Sequence, residues 1–158
     1  MKRIGLVKNV TEVLVVYHSM GGNTEQAARY LTEGVKTVEG VDVTLKEALK
    51  AHVDDLRNCD GIAIGTPDYF SYMAGAVKDF FDRTYYPTKG EVSGTPCVLF
   101  VSHGGGGKAV KSLEEMVETF KFKQITTPLL LRGAPNQREQ EELRDAGKKL
   151  AKACQKNC

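Results

Sequence analysis

The sequence of 158 residues contains no tryptophan, and its four cysteines form no C-x-x-C pair. No apolar run approaches the roughly 20 residues that a membrane-spanning helix requires, and Lys8 and Asn9 interrupt the apolar core of any signal peptide. The 22 lysines and arginines nearly balance the 20 aspartates and glutamates, so the net charge is only +2. This balance gives no electrostatic reason to expect nucleic acid or a membrane surface as partner, and we expect a cytoplasmic protein.

The cysteines are Cys59, Cys97, Cys154 and Cys158. In a cytoplasmic chain they are expected as thiols rather than as a disulfide framework. Cys154 and Cys158 lie four residues apart on a predicted helix, a spacing that could suit a metal or a redox pair. No histidine or second cysteine pair lies nearby in the sequence, so we predict no metal site.

The rest of the composition, 41% hydrophobic and 27% charged, is typical of a folded protein, and the length suits a single domain over residues 1–158. Five short runs predict strands, and segments with helical spacing separate them. The predicted strands are Val13–Tyr17, Val41–Lys46, Gly61–Gly65, Pro96–Val101 and Ile125–Leu131. The predicted helices cover residues 23–38, a short stretch around 53–56, and longer segments around 73–84, 109–120 and 139–154.

Two of these helices begin with a capping pattern, in which a polar residue is followed three positions later by glutamine or glutamate. Asn23 with Gln26 predicts the start of the first helix, and Asn136 with Glu139 predicts the start of the last. The last helix is acidic at its beginning and rich in lysine at its end, which complements the helix dipole. Its lysines therefore need no nucleic acid to explain them.

Alternating strands and helices with short connections predict a parallel sheet covered by helices on both faces. The alternating run Val41–Lys46 is typical of an edge strand. Pro128 cannot donate to a ladder, which places the fifth strand at the other edge or at a bulge. The doubly wound order 2-1-3-4-5 puts these two strands at the edges. We therefore predict an α/β fold, a five-stranded parallel sheet in a three-layer sandwich.

In such a sheet, ligands bind beyond the carboxyl ends of the strands, where the strand order reverses. The loop after the first strand joins a buried strand to a helix N-terminus, where N–H groups and the helix dipole favour an anion. Two glycines and several neutral donors make it a candidate phosphate cradle without a cation; the alternative is a tight turn with a helix cap. The candidate residues are Ser19, Met20, Gly21, Gly22, Asn23 and Thr24.

The loop after the third strand carries three aromatic residues within four positions. Because loops lie on the surface, these rings are candidates to stack on a planar ligand. The alternative is that they fold back over the sheet edge or enter a subunit interface. The candidate residues are Thr66, Pro67, Asp68, Tyr69, Phe70, Ser71 and Tyr72.

The loop after the fourth strand contains four consecutive glycines, whose ordering costs backbone entropy. Close approach to a flat ligand would offset that cost, and His103 either donates to the ligand or lies at the rim. The run fails the P-loop pattern and meets the dinucleotide fingerprint only formally, outside the first βαβ unit. The candidate residues are Ser102, His103, Gly104, Gly105, Gly106 and Gly107.

These segments resemble the flavodoxin-like superfamily. The resemblance is carried by residues 15–24, by 60–70 continuing to 78–83, and by Ser102 with its glycines, and it spans about residues 11–155. The last two segments are most similar to NAD(P)H-dependent FMN reductases and quinone reductases, including those first named as tryptophan-repressor-binding proteins. The resemblance implies a flavodoxin-like sandwich with FMN as cofactor.

By this resemblance, Ser19–Thr24 would hold the FMN phosphate, Thr66–Tyr72 would flank the isoalloxazine, and Ser102–Gly107 would line its pyrimidine side. The implied activity passes electrons from NAD(P)H to a quinone, a flavin or another small acceptor. The flavin carries the hydride, so we expect no catalytic acid or base from the protein.

Two alternatives remain open at this point. One is a flavodoxin-type electron carrier that exchanges electrons with a redox protein partner, although the near-neutral charge and the lack of tryptophan argue against it. The other is an interaction domain that keeps the fold without the flavin. Related enzymes are often dimers or tetramers, so the resemblance also implies a homo-oligomer.

Overall fold

The computed structural model describes residues 10–156. Lys8 and Asn9, on which the prediction against a signal peptide depends, and Cys158, whose spacing from Cys154 was considered above, lie outside the described range. The strands are β1 (Thr11–Tyr17), β2 (Val41–Glu47), β3 (Gly61–Tyr69), β4 (Tyr72–Met73), β5 (Pro96–His103), β6 (Lys123–Gln124) and β7 (Leu129–Arg132). The helices are α1 (Asn23–Lys36), α2 (Val53–Asn58), α3 (Gly75–Thr88), α4 (Val110–Phe120) and α5 (Gln137–Lys156), and a 3-10 turn, Ala48–Lys50, precedes α2. None of the helices in residues 10–156 is both long and apolar enough to cross a membrane.

The main sheet is parallel and runs in the order β2-β1-β3-β5-β6, with β7 also paired to β5. Since β5 is the fourth predicted strand and β6 with β7 forms the fifth, this confirms the order 2-1-3-4-5 and the flavodoxin-like sandwich. The pairing of Tyr17 with Gly65, and of Gly65 with Phe100, aligns the carboxyl ends of β1, β3 and β5 at one edge.

The prediction of one continuous fifth strand, Ile125–Leu131, is wrong. The structure instead has β6, just before the predicted start, which pairs with the start of β5 at Pro96 and Cys97, and β7, which pairs with the end of β5 from Phe100 to His103; residues 125–128 between them form no strand. Pro128 lies in the interruption, where its missing N–H breaks no ladder. The same proline correctly indicated an edge strand.

The third strand is longer than predicted and continues beyond Gly65 to Tyr69 before folding back as β4. The two residues of this hairpin turn, Phe70 and Ser71, have φ values of 57° and 64°. Positive φ at both central positions is the signature of the type I′ turn that suits hairpin twist, although neither residue is a glycine. The predicted aromatic loop is therefore a rigid hairpin.

The sheet separates two apolar layers. On one face, α1 and α5 pack on alternate sheet residues, in a layer that includes Leu31, Leu131, Leu143, Leu150 and Phe100. On the other face, α3 and α4 cover the remaining alternate residues through Phe80, Phe81, Leu113, Ile62 and Leu99. Apolar residues on both faces of β1, β3 and β5 therefore hold the three strands rigidly, and their carboxyl ends form a fixed base for the loops.

Three of the cysteines, Cys59, Cys97 and Cys154, are buried in these layers. Burial raises the pKa of the Cys97 thiol far above its ordinary value, because the apolar surroundings disfavour the thiolate. The described part of the chain holds no group of three or more histidine, cysteine or acidic side chains arranged for a metal ion.

Candidate functional site

The loop that follows β1 and the carboxyl-terminal ends of β3 and β5, with Gly104 directly after β5, meet in one depression of about 390 Å³ at the carboxyl edge of the sheet. The structure thus brings together parts of all three segments that the sequence singled out, together with a fourth from the end of β7. The lining residues are Ser19, Met20, Gly21, Asn23, Thr24, Pro67, Asp68, Tyr69, Ser102, His103, Gly104, Arg132 and Gly133.

The first loop leads into α1 without a side-chain cap. Gly22 occupies the cap position with φ 101°, its N–H donates to Ser19 Oγ at 3.0 Å, and its carbonyl accepts from Gln26 N at 3.0 Å. The predicted capping box of Asn23 with Gln26 is wrong, because Asn23 is already the first helical residue and cannot adopt the extended backbone of a cap. The N–H groups of the first turn are therefore left for another acceptor.

Space for that acceptor lies beside the two glycines. A Cβ placed on Gly21 or Gly22 would meet no atom within 4 Å, so a side chain at either position would extend into open space. The positive φ of Gly22 also requires glycine, since other residues rarely adopt it. Hydroxyl donors, N–H groups and the positive end of the α1 dipole suit this space to a phosphate, which agrees with the sequence prediction.

Ser102 contributes the second feature that points to a ligand. The residue is only 5% exposed, and its Oγ has no hydrogen-bond partner among the described residues. A buried hydroxyl without a partner is unfavourable, and such groups in native proteins call for an explanation. Because Ser102 lines the depression, a polar atom of a bound molecule would provide the missing partner.

His103, the next residue, organises the glycine-rich turn. Its Nδ1 accepts a hydrogen bond from Gly106 N at 3.1 Å. Nε2 is therefore the ring nitrogen that is left to donate a hydrogen bond to a ligand. Gly104 lines the depression, whereas Gly105 and Gly106 are exposed at the tip of the turn.

Thr66 and Asp68 shape the hairpin. Thr66 is fully buried, and its hydroxyl donates to Pro67 O and accepts from Ala74 N, both at 2.8 Å. One Asp68 oxygen accepts from Ser71 N at 2.9 Å, and the other accepts from Ala109 N at 3.3 Å. Thr66, one of the predicted site residues, therefore stabilises the backbone of the hairpin through its side chain. The Asp68 carboxylate connects the hairpin to the start of α4.

The aromatic residues of the hairpin separate into two groups. Tyr69 lines the depression and makes an edge-to-face contact with His18, with ring centroids 6.1 Å apart. Phe70 is fully exposed at the tip. Tyr72 faces a neighbouring surface groove that it shares with Ser71, Gly107 and Leu130. Of the three predicted rings, the structure brings Tyr69 alone into the lining of the depression.

Arg132 and Gly133 also line the depression and were not among the predicted site residues. Arg132 pairs with His103 in the ladder between β5 and β7, and Gly133 N donates to His103 O at 3.1 Å. The sequence does carry a signal for them. An arginine and a glycine directly follow the last predicted strand, and the rule about carboxyl ends applies to that strand as well.

Comparisons with known proteins agree with this geometry. A family model described as Flavodoxin matches residues 15–147. A flavodoxin of Aquifex aeolicus is 31% identical over 157 residues, covering 89% of this chain and 85% of the relative. An NAD(P)H dehydrogenase (quinone) of Acidithiobacillus ferrooxidans is 34% identical over 140 residues, covering 73% and 68%. A solved flavodoxin from the domain Archaea has a TM-score of 0.84 at 23% identity, covering 92% of this chain and 99% of that structure.

FMN is the cofactor of this family, as the resemblance implied. The residues present fit FMN. The open space beside Gly21 and Gly22 suits its phosphate, and a polar atom of FMN could hydrogen-bond the buried Ser102 hydroxyl, which has no partner among the described residues. Neutral donors and N–H groups suffice for one phosphate, which needs no magnesium site. The chain belongs to the flavodoxin family and is an FMN-binding redox protein.

Proposed function

We propose that this protein is an FMN-dependent oxidoreductase that takes electrons from NAD(P)H and passes them to a quinone, a flavin or another small acceptor. The observation that carries the proposal is one depression with an uncapped α1 N-terminus on one side and the unpartnered hydroxyl of Ser102 on another. The proposal includes the single domain over residues 1–158 and the cytoplasmic location predicted from the sequence.

The position of each lining residue indicates which part of FMN it would bind. The N–H groups of α1 and the hydroxyls of Ser19 and Thr24 would hold the phosphate, and Ser102 would hydrogen-bond a polar atom of the ring system. Tyr69 would pack against the ring, and His103 would offer its Nε2–H. Bound FMN supplies the hydride chemistry, so these residues bind, orient and shield it and need not exchange protons.

Charge in the depression supports a small anionic donor such as NAD(P)H. The carboxylate of Asp68 accepts from two backbone N–H groups, which offset its charge, and Arg132 lies in the same lining. The depression is therefore not the acidic surface that would repel a nicotinamide nucleotide. Similarity to the quinone dehydrogenase of Acidithiobacillus ferrooxidans supports the same reaction class.

A flavodoxin-type electron carrier is the second candidate. Similarity to the Aquifex aeolicus flavodoxin over most of both chains favours it. So do two exposed apolar side chains, Met20 in the lining at 79% and Phe70 fully exposed at the hairpin tip, because exposed apolar groups suit contact with another protein. A carrier would exchange electrons with a redox protein and would react poorly with NAD(P)H.

A reduction experiment separates the two candidates. The protein is loaded with FMN, mixed without oxygen with NADH or NADPH, and followed by flavin absorbance; a quinone or free flavin is then added. We expect rapid bleaching by one nicotinamide nucleotide and recovery of absorbance on adding the acceptor. If only dithionite reduces the flavin, and a redox protein reoxidises it, the carrier function is correct. Failure to bind FMN would overturn both candidates.

A further inference from the structure

We propose that Arg132 sets the reduction potential of the bound flavin by stabilising the negative charge that reduction places on the ring. This inference rests on the proposed function, since it requires FMN in the depression. Arg132 ends β7 at the carboxyl edge, and its backbone is held to β5 by the ladder pair with His103. The adjacent bond from Gly133 N to His103 O, at 3.1 Å, fixes the position of this strand end.

Among the titratable residues that line the depression, Arg132 is the one with a permanent positive charge. These titratable residues are Asp68, Tyr69, His103 and Arg132. Asp68 accepts from the N–H groups of Ser71 and Ala109, and His103 Nδ1 accepts from Gly106 N. Arg132 therefore contributes the permanent positive charge of this lining, because guanidinium does not lose its proton in proteins.

No ion pair within residues 10–156 engages this guanidinium, in contrast to Arg29, Arg57, Arg83, Arg138 and Arg144, each of which contacts a carboxylate. Within the described residues, Arg132 therefore forms no ion pair that would hold its guanidinium away from a ligand. A cation next to a flavin alters its electronics most when no carboxylate competes for it.

The chemistry of reduction supplies the charge that Arg132 would stabilise. Hydride transfer moves two electrons and one proton from the nicotinamide to flavin N5, and the nicotinamide leaves as its oxidised cation. The reduced flavin then carries one more negative charge than the oxidised flavin until a further proton arrives from water. A nearby cation binds the reduced form more tightly than the oxidised form, which raises the potential.

The test compares Arg132→Gln with Arg132→Lys and with Arg138→Gln. Arg138 is a matched control, since it lies near the start of α5, is 81% exposed, pairs with Glu142 at 3.4 Å and is absent from the lining. FMN affinity is measured by fluorescence titration, and the midpoint potential by equilibration with a reference dye. Both are properties of the bound cofactor and need no turnover.

We expect Arg132→Gln to reduce the affinity ratio of reduced to oxidised FMN about tenfold, which is about 30 mV for a two-electron couple. The affinity of Arg132→Gln for oxidised FMN should change much less. Arg132→Lys should have a midpoint potential close to that of the wild type, and Arg138→Gln should have the same midpoint potential as the wild type. An unchanged potential in Arg132→Gln would overturn the inference, as would an equal shift in Arg138→Gln. Loss of oxidised FMN binding in Arg132→Gln alone would assign the residue to holding the cofactor, which also overturns it. Failure of the wild type to bind FMN would instead overturn the proposed function.

Discussion

The starts of α1 and α5 lie at the same edge of the sheet but are built in opposite ways. At α5, Asn136 Oδ1 accepts from Glu139 N at 2.8 Å, and Glu139 Oε1 accepts from Asn136 N at 3.0 Å. At α1, Gly22 occupies the cap position and no side chain caps the helix. The first turn of α5 therefore satisfies its N–H donors within the chain, whereas α1 leaves its N–H donors for a ligand.

Two buried serines repeat this contrast. Ser112 is 4% exposed, accepts from Met73 N at 3.0 Å and donates to Ala109 O at 2.7 Å, so its hydroxyl holds β4 against α4. Ser102 is buried to the same extent and has no partner within the described residues. The two serines are equally buried but differ in their hydrogen bonds. Ser112 stabilises the fold, whereas the hydroxyl of Ser102 is available to a cofactor.

The largest effect, a loss of FMN affinity, is expected from the substitution Gly22→Asp at the start of α1. A carboxylate in the cradle repels the phosphate by about 4 kcal/mol per pair of unit charges at 4 Å, so FMN affinity should fall roughly a thousandfold. Gly22→Asn has the same shape and the same strained φ without the charge, and it should lose much less. Isothermal titration with FMN measures both variants. Retained affinity in Gly22→Asp would contradict the phosphate assignment.

The serine pair provides the next test. Ser102→Ala should weaken FMN binding about tenfold, while the free energy of unfolding without FMN stays equal or rises by up to about 1 kcal/mol, since no internal bond is lost. Ser112→Ala should instead lower the stability of the FMN-free protein by about 1–3 kcal/mol, because it leaves Met73 N unpaired. Urea denaturation and FMN titration on both variants separate the roles. Equal behaviour of the two variants would argue against a ligand at Ser102.

Removing the α5 cap should affect stability alone. Asn136→Ala eliminates the reciprocal bonds with Glu139 and should lower the free energy of unfolding by about 1 kcal/mol. FMN affinity should remain that of the wild type, since Asn136 does not line the depression. Thermal unfolding and FMN titration check the two halves of this prediction. A large loss of affinity would show that the two helix starts are not independent.

The smallest effect concerns the hairpin beside the depression. Ser71 has φ 64° in a turn that favours glycine, so Ser71→Gly should stabilise the FMN-free protein by roughly 0.5–1 kcal/mol. Its N–H keeps the bond to Asp68 Oδ1, and the turn should retain its shape. Thermal unfolding measures the gain. An unchanged or lower midpoint would mean that glycine's greater freedom in the unfolded chain cancels the relief of strain.

Local patterns were sufficient where neighbouring residues alone control the structure. The reciprocal cap of Asn136 with Glu139 was predicted correctly, as was the edge position of the fifth predicted strand, in whose interruption Pro128 lies. The similar pattern of Asn23 with Gln26 failed, because the positive φ of Gly22 starts the helix one residue earlier than a side-chain cap at Asn23 would need. Two comparable motifs thus differ through the backbone conformation of a preceding glycine.

The alternation of strands and helices, the order of the sheet and the three segments at its carboxyl edge could all be predicted from the amino-acid sequence, because periodicity and the edge signals are local properties. Which side chains share the depression depends on the folded protein. It placed Tyr69 inside and Phe70 outside, buried Thr66 beneath the hairpin, and added Arg132 from β7, a strand well beyond the glycine-rich loop in the chain. The physical reason is that sheet pairing joins segments distant in the chain, and the presence or absence of hydrogen-bond partners in the folded protein decides which polar groups remain for a ligand.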